Sequence, residues 1–366
     1  MQAAVYTGDS NLEVRRLPRP VLEPGEVLVR VHSCGICHTD LKKVEYNLLP
    51  PPRVFGHETA GEIAAIGEGV QDWSVGDRVV VFHHIPCGTC FYCQRRLYAQ
   101  CPTYKKVGVT AGFEPAGGGF AEYVRVMDWI VARGMERIPD GVPYDVATFV
   151  EPLNTCLKAV VGCNPQPEDV VLVLGQGPIG LIFTMLVRRT GACVVATDMI
   201  ENRLALARRC GANLAIRADA PDLRQQVGAL TDGRGADIVI VAAHAPGIIE
   251  QAVSCSRPGA RIALFAQTSN QESIRIGGGD LVAGERSLVG YYSADVDLQA
   301  ESARLVFGGE LPLADLISHR FALADIHKGI QQALHPDEQS LKVVVQPLTA
   351  QPSSLPPGPE QPQRWA

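Results

Sequence analysis

The spacing of apolar residues changes along the chain. In the first part they alternate: Val27, Val29 and Val31 fall on one side of an extended segment, and Glu26, Arg30 and His32 on the other, with Leu28 the apolar exception. Glu23-Pro24-Gly25 and Val75-Gly76-Asp77 supply turns, the second leading into the run from Arg78 to Phe82. Gly117-Gly118-Gly119 precedes another extended stretch, Phe120 to Val126. This pattern predicts a compact β-rich domain. Near Glu151 it gives way to continuous apolar runs: Val170 to Leu174, Val194 to Ala196, Ile238 to Val241, and Ile262 to Phe265. Such runs mark strands buried on both faces of a parallel sheet. The helical stretches between them predict a doubly wound α/β domain.

From about residue 293 to 347 the pattern is mixed again. Residues 348–366 carry Pro352, Pro356, Pro357, Pro359 and Pro362 among Ser, Gln and Gly, which predicts a disordered tail or an arm ordered only in an oligomer. No internal repeat of fixed period is present.

Composition narrows the function classes. The chain has 366 residues, 46 % hydrophobic and 20 % charged, enough for two domains with full cores. A formal charge of −6 leaves no basic stripe, so nucleic acid is not an expected partner. No apolar run reaches the roughly 18 residues of a membrane span, and the N-terminus reads as a strand, not a signal peptide. Eleven cysteines, an odd number, argue against a secreted disulfide framework. They predict a cytoplasmic protein with metal ligands and buried thiols.

Cys87, Cys90, Cys93 and Cys101 form the run C-x2-C-x2-C-x7-C, which can close a tetrahedral shell around one zinc ion. A shell of four protein ligands admits no substrate, so this metal would be structural. Ferredoxin runs share the first spacings and often end in Cys-Pro, as Cys101-Pro102 does, but place three residues before the last cysteine. Zinc fits better. A catalytic metal needs three protein ligands and an open position. Candidates are Cys34 or Cys37 in the upstream segment, then His57 and Glu58, then Glu151 before a helical stretch. Thiolate, imidazole and carboxylate together suit zinc as a Lewis acid.

Gly175-Gln176-Gly177-Pro178-Ile179-Gly180 directly follows a buried strand and opens a helix, and Asp198 ends the next strand. This context predicts a dinucleotide site. Gly175 makes the tight turn, Gly177 admits the pyrophosphate, Gly180 lets the helix pack closely, and Pro178 and Ile179 complete the loop at the helix N-terminus. Asp198 would accept both adenosine-ribose hydroxyls and repel a 2′-phosphate, favouring NAD over NADP. Arg203 could line the adenosine pocket, tolerate a 2′-phosphate, or be an ordinary helix residue.

Together these segments resemble the zinc-dependent medium-chain alcohol and polyol dehydrogenases, including sorbitol and threonine dehydrogenases. The likeness runs in order from about residue 1 to 347. It includes Gly-Ile-Cys-His-Thr-Asp at 35–40, Gly-His-Glu-Thr-Ala-Gly at 56–61 and Val-Gly-Asp-Arg-Val at 75–79. The resemblance implies a GroES-like β-rich catalytic domain at 1–151, with a structural-zinc lobe at 84–103. A Rossmann domain would occupy 152–292, residues 293–347 would complete the catalytic domain, and 348–366 would be the tail. It selects Cys37 over Cys34 as catalytic-zinc ligand, with His57, Glu58 as the resting carboxylate and Glu151 as the alternate. Two zinc ions per chain are expected.

By the same resemblance, Thr39 takes the alcohol proton and passes it toward the nicotinamide ribose. Many relatives end this relay with a histidine where this chain has Lys42. His38 is a candidate substitute or a contact of the cofactor pyrophosphate. Asp40 is either an acid that orients a ligating histidine or a helix-start residue. His83 and His84 are not assigned as ligands, Cys156 and Cys163 are expected to be buried thiols, and Asn154 is a candidate for the substrate pocket. The implied reaction is hydride transfer between NAD and a secondary alcohol: a polyol, cyclitol, sugar or amino alcohol. The alternatives are a dismutase or carbonyl reductase with tightly held cofactor, and a non-catalytic nucleotide-binding protein of the same fold. The relatives' habits predict a homodimer or homotetramer.

Overall fold

The computed structural model describes residues 1–82, 85–104, 117–266 and 273–348. The predicted tail, apart from Leu348, and both His83 and His84 lie outside the described residues. The chain divides into two compact units. One holds 1–150, 317–336 and the described chain from 342; the other holds 151–316 and 337–341.

The first unit is built on a seven-stranded sheet. Its order is Ile317–Ala322, Lys342–Gln346, Val27–Gly35, Glu58–Ile66, Arg78–Val81 and Met135–Arg137, with Tyr123–Val126 also paired to Val27–Gly35. The alternating valines of Val27–Gly35 are buried, and so is Leu28. Glu26, read as a polar-face residue, is buried too, because its carboxylate accepts Glu23 N–H at 2.8 Å and pairs with Arg125. Two pairings position the chemistry: Gly35 faces Glu58 across one antiparallel ladder, and Val344 faces Gly35 across the next. A side chain at position 35 would not fit, since its Cβ would lie 1.8 Å from Glu58 Oε2.

The second unit contains six parallel strands. Their order is Leu214–Arg217, Cys193–Asp198, Val170–Leu174, Ala236–Val241, Ser256–Leu264 and Ser287–Gly290. The first strand of this sheet in chain order, Val170–Leu174, is central, and the winding direction reverses beside it. In open α/β sheets ligands bind at the carboxyl ends of strands at such a switch point. Leu172, Leu174, Val195, Val239 and Ile262 form the core under it. Residues 293–316, expected with the first unit, pack with the second through the helix Gln299–Phe307, and the return begins at Ile317.

Candidate functional site

Val27–Gly35 ends two residues before Cys37, which caps the helix His38–Glu45. The Gly35–Glu58 pairing brings the start of the neighbouring strand alongside. As a result Cys37 Sγ, a ring nitrogen of His57 and a carboxylate oxygen of Glu58 all lie within 4.8 Å of one another. Asp40 stands behind them, fully buried, with Oδ1 3.1 Å from His57 Nδ1 and Oδ2 accepting Cys37 N–H at 3.3 Å. An imidazole that donates Nδ1–H to a carboxylate presents Nε2 as the donor atom for a metal. Burial works against a charged Asp40, but His57, Lys43 and the Cys37 N–H outweigh it and hold the carboxyl below its usual range. Burial likewise opposes charge on His57; Asp40 and Cys37 outweigh it and raise that pKa well above the ordinary value.

A divalent cation fits this donor set. Sulfur, nitrogen and oxygen donors converge, and Glu58 Oε2 is buried without a hydrogen bond. The ammonium of Lys342 forms an ion pair with it. Cys34 is not in the group: its thiol is wholly buried, 3.7 Å from both Gly35 O and Thr59 Oγ1, and burial pushes its pKa well up. Thr39 is half-buried and His38 exposed on the first turn of the helix, and since Cys37 is the cap, Thr39 does not serve as one. Lys43 and Lys342 escaped the sequence reading. The i, i+3 spacing of Asp40 and Lys43 was a usable signal; nothing in the sequence pairs Lys342 with Glu58.

The sulfurs of Cys87, Cys90, Cys93 and Cys101 also lie within 4.8 Å of one another. Two short turns, Cys93–Arg95 and Tyr98–Gln100, fold the segment back, with Ala99 and Tyr104 packed inside. Backbone N–H groups and the Thr89 hydroxyl pull Cys87 down to about 6, while burial and neighbouring thiols push Cys93 up to about 12. Four sulfurs this close match a closed tetrahedral cation site.

In the second unit, Gly177 caps the helix Pro178–Arg189, with Pro178 in its first turn and Gly180 against the preceding loop. A Cβ at Gly180 would lie 1.8 Å from Gly175 O, so only glycine allows that approach. Asp198, 7 % exposed, ends Cys193–Asp198 and accepts Gln176 N–H at 2.6 Å and Ile200 N–H at 2.9 Å. Arg203 is half-buried, its Nη1 3.9 Å from Asp198 and its Nη2 donating to Ser340 O at 2.9 Å. The loop thus gathers Gly175, Gly177, Pro178, Ile179, Gly180, Asp198 and Arg203 at the strands' carboxyl ends. Glu151 is buried in the first turn of Val150–Cys163 and belongs to this second unit. Asn154, offered above as a pocket residue, is instead fully buried, with its amide donating to Asp295 O and accepting Asp295 N–H.

Residues 23–139 match the family described as alcohol dehydrogenase GroES-like domain, and 178–306 match the zinc-binding dehydrogenase family. Sorbitol dehydrogenase of Bacillus subtilis is 28 % identical, over 95 % of this chain and 97 % of its own length. L-Threonine 3-dehydrogenase of Pyrococcus furiosus is 34 % identical, over 70 % of this chain and 72 % of its own. A zinc-binding dehydrogenase structure from Sinorhizobium meliloti, bound to NADP, superposes with a TM-score of 0.85 at 27 % identity, covering 94 % of this chain and 99 % of that one.

Proposed function

Since this chain belongs to the zinc-dependent medium-chain alcohol and polyol dehydrogenases, we propose that it oxidises a polyol-type secondary alcohol with NAD, using two zinc ions per chain. The observation that carries the reading is the convergence of Cys37, His57 and Glu58 in front of buried Asp40. When bound there, zinc supplies Lewis acidity toward the alcohol oxygen. Cys37, His57 and Glu58 would hold the ion, and Asp40 fixes the ring of His57. Thr39, two residues beyond Cys37, takes the alcohol proton, and His38 or Lys42 carries it onward. The second set, Cys87, Cys90, Cys93 and Cys101, holds the structural ion.

The glycine loop and the N-terminus of Pro178–Arg189 bind the pyrophosphate through backbone N–H groups. Each oxygen of Asp198 takes one backbone N–H, which leaves further lone pairs for the ribose hydroxyls. That fixed negative charge favours NAD over NADP, with Arg203 bracing it. The first unit thereby supplies the metal and proton path, and the second the cofactor site. The substrate class follows the relatives, whose names include sorbitol, D-altritol and L-threonine dehydrogenases: a polyol, cyclitol, sugar or amino alcohol.

A homo-oligomer is supported by the edge strand Ser287–Gly290, which among the described residues pairs on one side only and carries the exposed Val289. A cytoplasmic location is supported by eleven cysteines, all free. Among the described residues no helix is long and apolar enough to cross a membrane.

Metal content per chain, measured on the wild type and on Cys37→Ser, tests the proposal. About two zinc ions falling to about one, with NAD-dependent turnover of polyols lost, is the expected result. One zinc in both proteins would refute a catalytic metal at Cys37.

A further inference from the structure

Lys342 opens the strand Lys342–Gln346, and its side chain is only 7 % exposed. Its ammonium donates to Ile36 O at 3.1 Å and forms an ion pair with Glu58 Oε2. A cation this deeply buried has to be compensated by neighbouring groups. Here the sheet register supplies them. Val344 faces Gly35, and Gly35 faces Glu58, so Lys342, two residues before Val344, lies on the same side of the sheet as both. Gly35 leaves the space in which the charges meet: a Cβ there would be 1.8 Å from Glu58 Oε2 and 2.8 Å from Lys342 Cε. Among the described residues Lys342 is the cation seen against Glu58 Oε2, and a carboxylate with two oxygens can be shared with another cation.

We propose that Lys342 is a positioning residue of the metal centre, which shares the Glu58 carboxylate with the ion and so keeps Glu58 a weak, exchangeable donor. This rests on the reading of Glu58 as a metal ligand. Cys37, Glu58 and Asp40 place three anionic groups around the site. Unopposed, Glu58 would bind a divalent cation through both oxygens and close the position that a substrate oxygen needs. Lys342 draws on the same carboxylate and holds that position open. A lysine that only stapled the strand to the sheet would leave the properties of the metal unchanged.

The test uses full-length Lys342→Met, Lys342→Arg and Glu58→Gln. Each is assayed for zinc retention against a chelator, for the visible spectrum after cobalt substitution, and for melting temperature. Outer-shell changes at metal sites typically act about 10–100-fold. Lys342→Met removes the competitor, so the catalytic ion should be retained about tenfold more tightly, with weaker cobalt bands and a lower kcat. Lys342→Arg presents a planar fork that grips the carboxylate more firmly, so retention should fall about tenfold. Opposite shifts in the two variants support the proposal, whereas unchanged retention and spectrum in both overturn it, whatever the melting temperatures. If Lys342→Met does not fold, Lys342→Arg decides alone: reduced retention supports the proposal and wild-type retention overturns it. Glu58→Gln separates the two readings. If it retains zinc like the wild type, Glu58 is not a ligand and both fail. If it weakens retention while the Lys342 variants do not change it, only the role of Lys342 fails.

Discussion

Asp198 was singled out by its spacing from the glycine loop, and its surroundings bear on its proposed role in cofactor choice. Gln176 N–H and Ile200 N–H hold both its oxygens, with Arg203 alongside. A carboxylate so fixed cannot rotate away from a 2′-phosphate. Hydrogen bonds to charged groups contribute about 1.5–3 kcal/mol. Asp198→Asn should therefore lower kcat/KM for NAD by about ten- to a hundredfold and raise the NADP-to-NAD ratio, as steady-state kinetics with the two cofactors would show. An unchanged ratio would remove Asp198 from cofactor choice. Asp40 was only half legible, as either a helix-start acid or a support for a ligand. Its place against both Cys37 N–H and His57 depends on a strand that begins 18 residues later.

Among the elements, Val170–Leu174 and Pro178–Arg189 were the easiest to read, since an unbroken apolar run, a glycine turn and an amphipathic stretch are all local signals. Their close packing turns on Gly180. Alanine there would push its methyl against Gly175 O and lift the helix away from the strand that aims it. Overpacking of this kind costs about 1–3 kcal/mol. Gly180→Ala should lower the melting temperature and weaken NAD binding at least tenfold by calorimetric titration, while the zinc content stays at the wild-type level. The family resemblance placed the Gln299–Phe307 helix with the first unit, whereas it packs with the second. Its buried face of Ala303, Leu305 and Val306 would suit either unit, and helical periodicity does not identify the partner.

For the molecule as a whole, the two proposed metal sites, with different donor sets, predict separable losses. The cysteine lobe is folded around its own small cluster of Ala99, Cys101 and Tyr104, remote in sequence from Cys37, His57 and Glu58. Cys101 is fully buried, so Cys101→Ser should empty this site, take zinc from about two ions to about one, and lower the melting temperature by several degrees. NAD binding should be unchanged, because the dinucleotide loop belongs to the other unit. Loss of both ions together would show that the two sites are not independent.

The local sequence determined the elements and the chemistry they carry. Alternating and continuous apolar runs distinguish the two kinds of sheet, the cysteine spacing picks out four thiols that the fold gathers within 4.8 Å, and the glycine turn joins a buried strand to a helix. Each of these signals lies within a few tens of residues, where spacing alone constrains geometry. Only the tertiary structure chose Cys37 over Cys34 on geometric grounds, placed Asp40 behind His57, withdrew Asn154 from the pocket and brought Lys342 to Glu58. Those choices arise from strand register, which pairs residues as far apart as 35 and 344. Register is set by the summed packing of whole sheets, and no short window of sequence contains it.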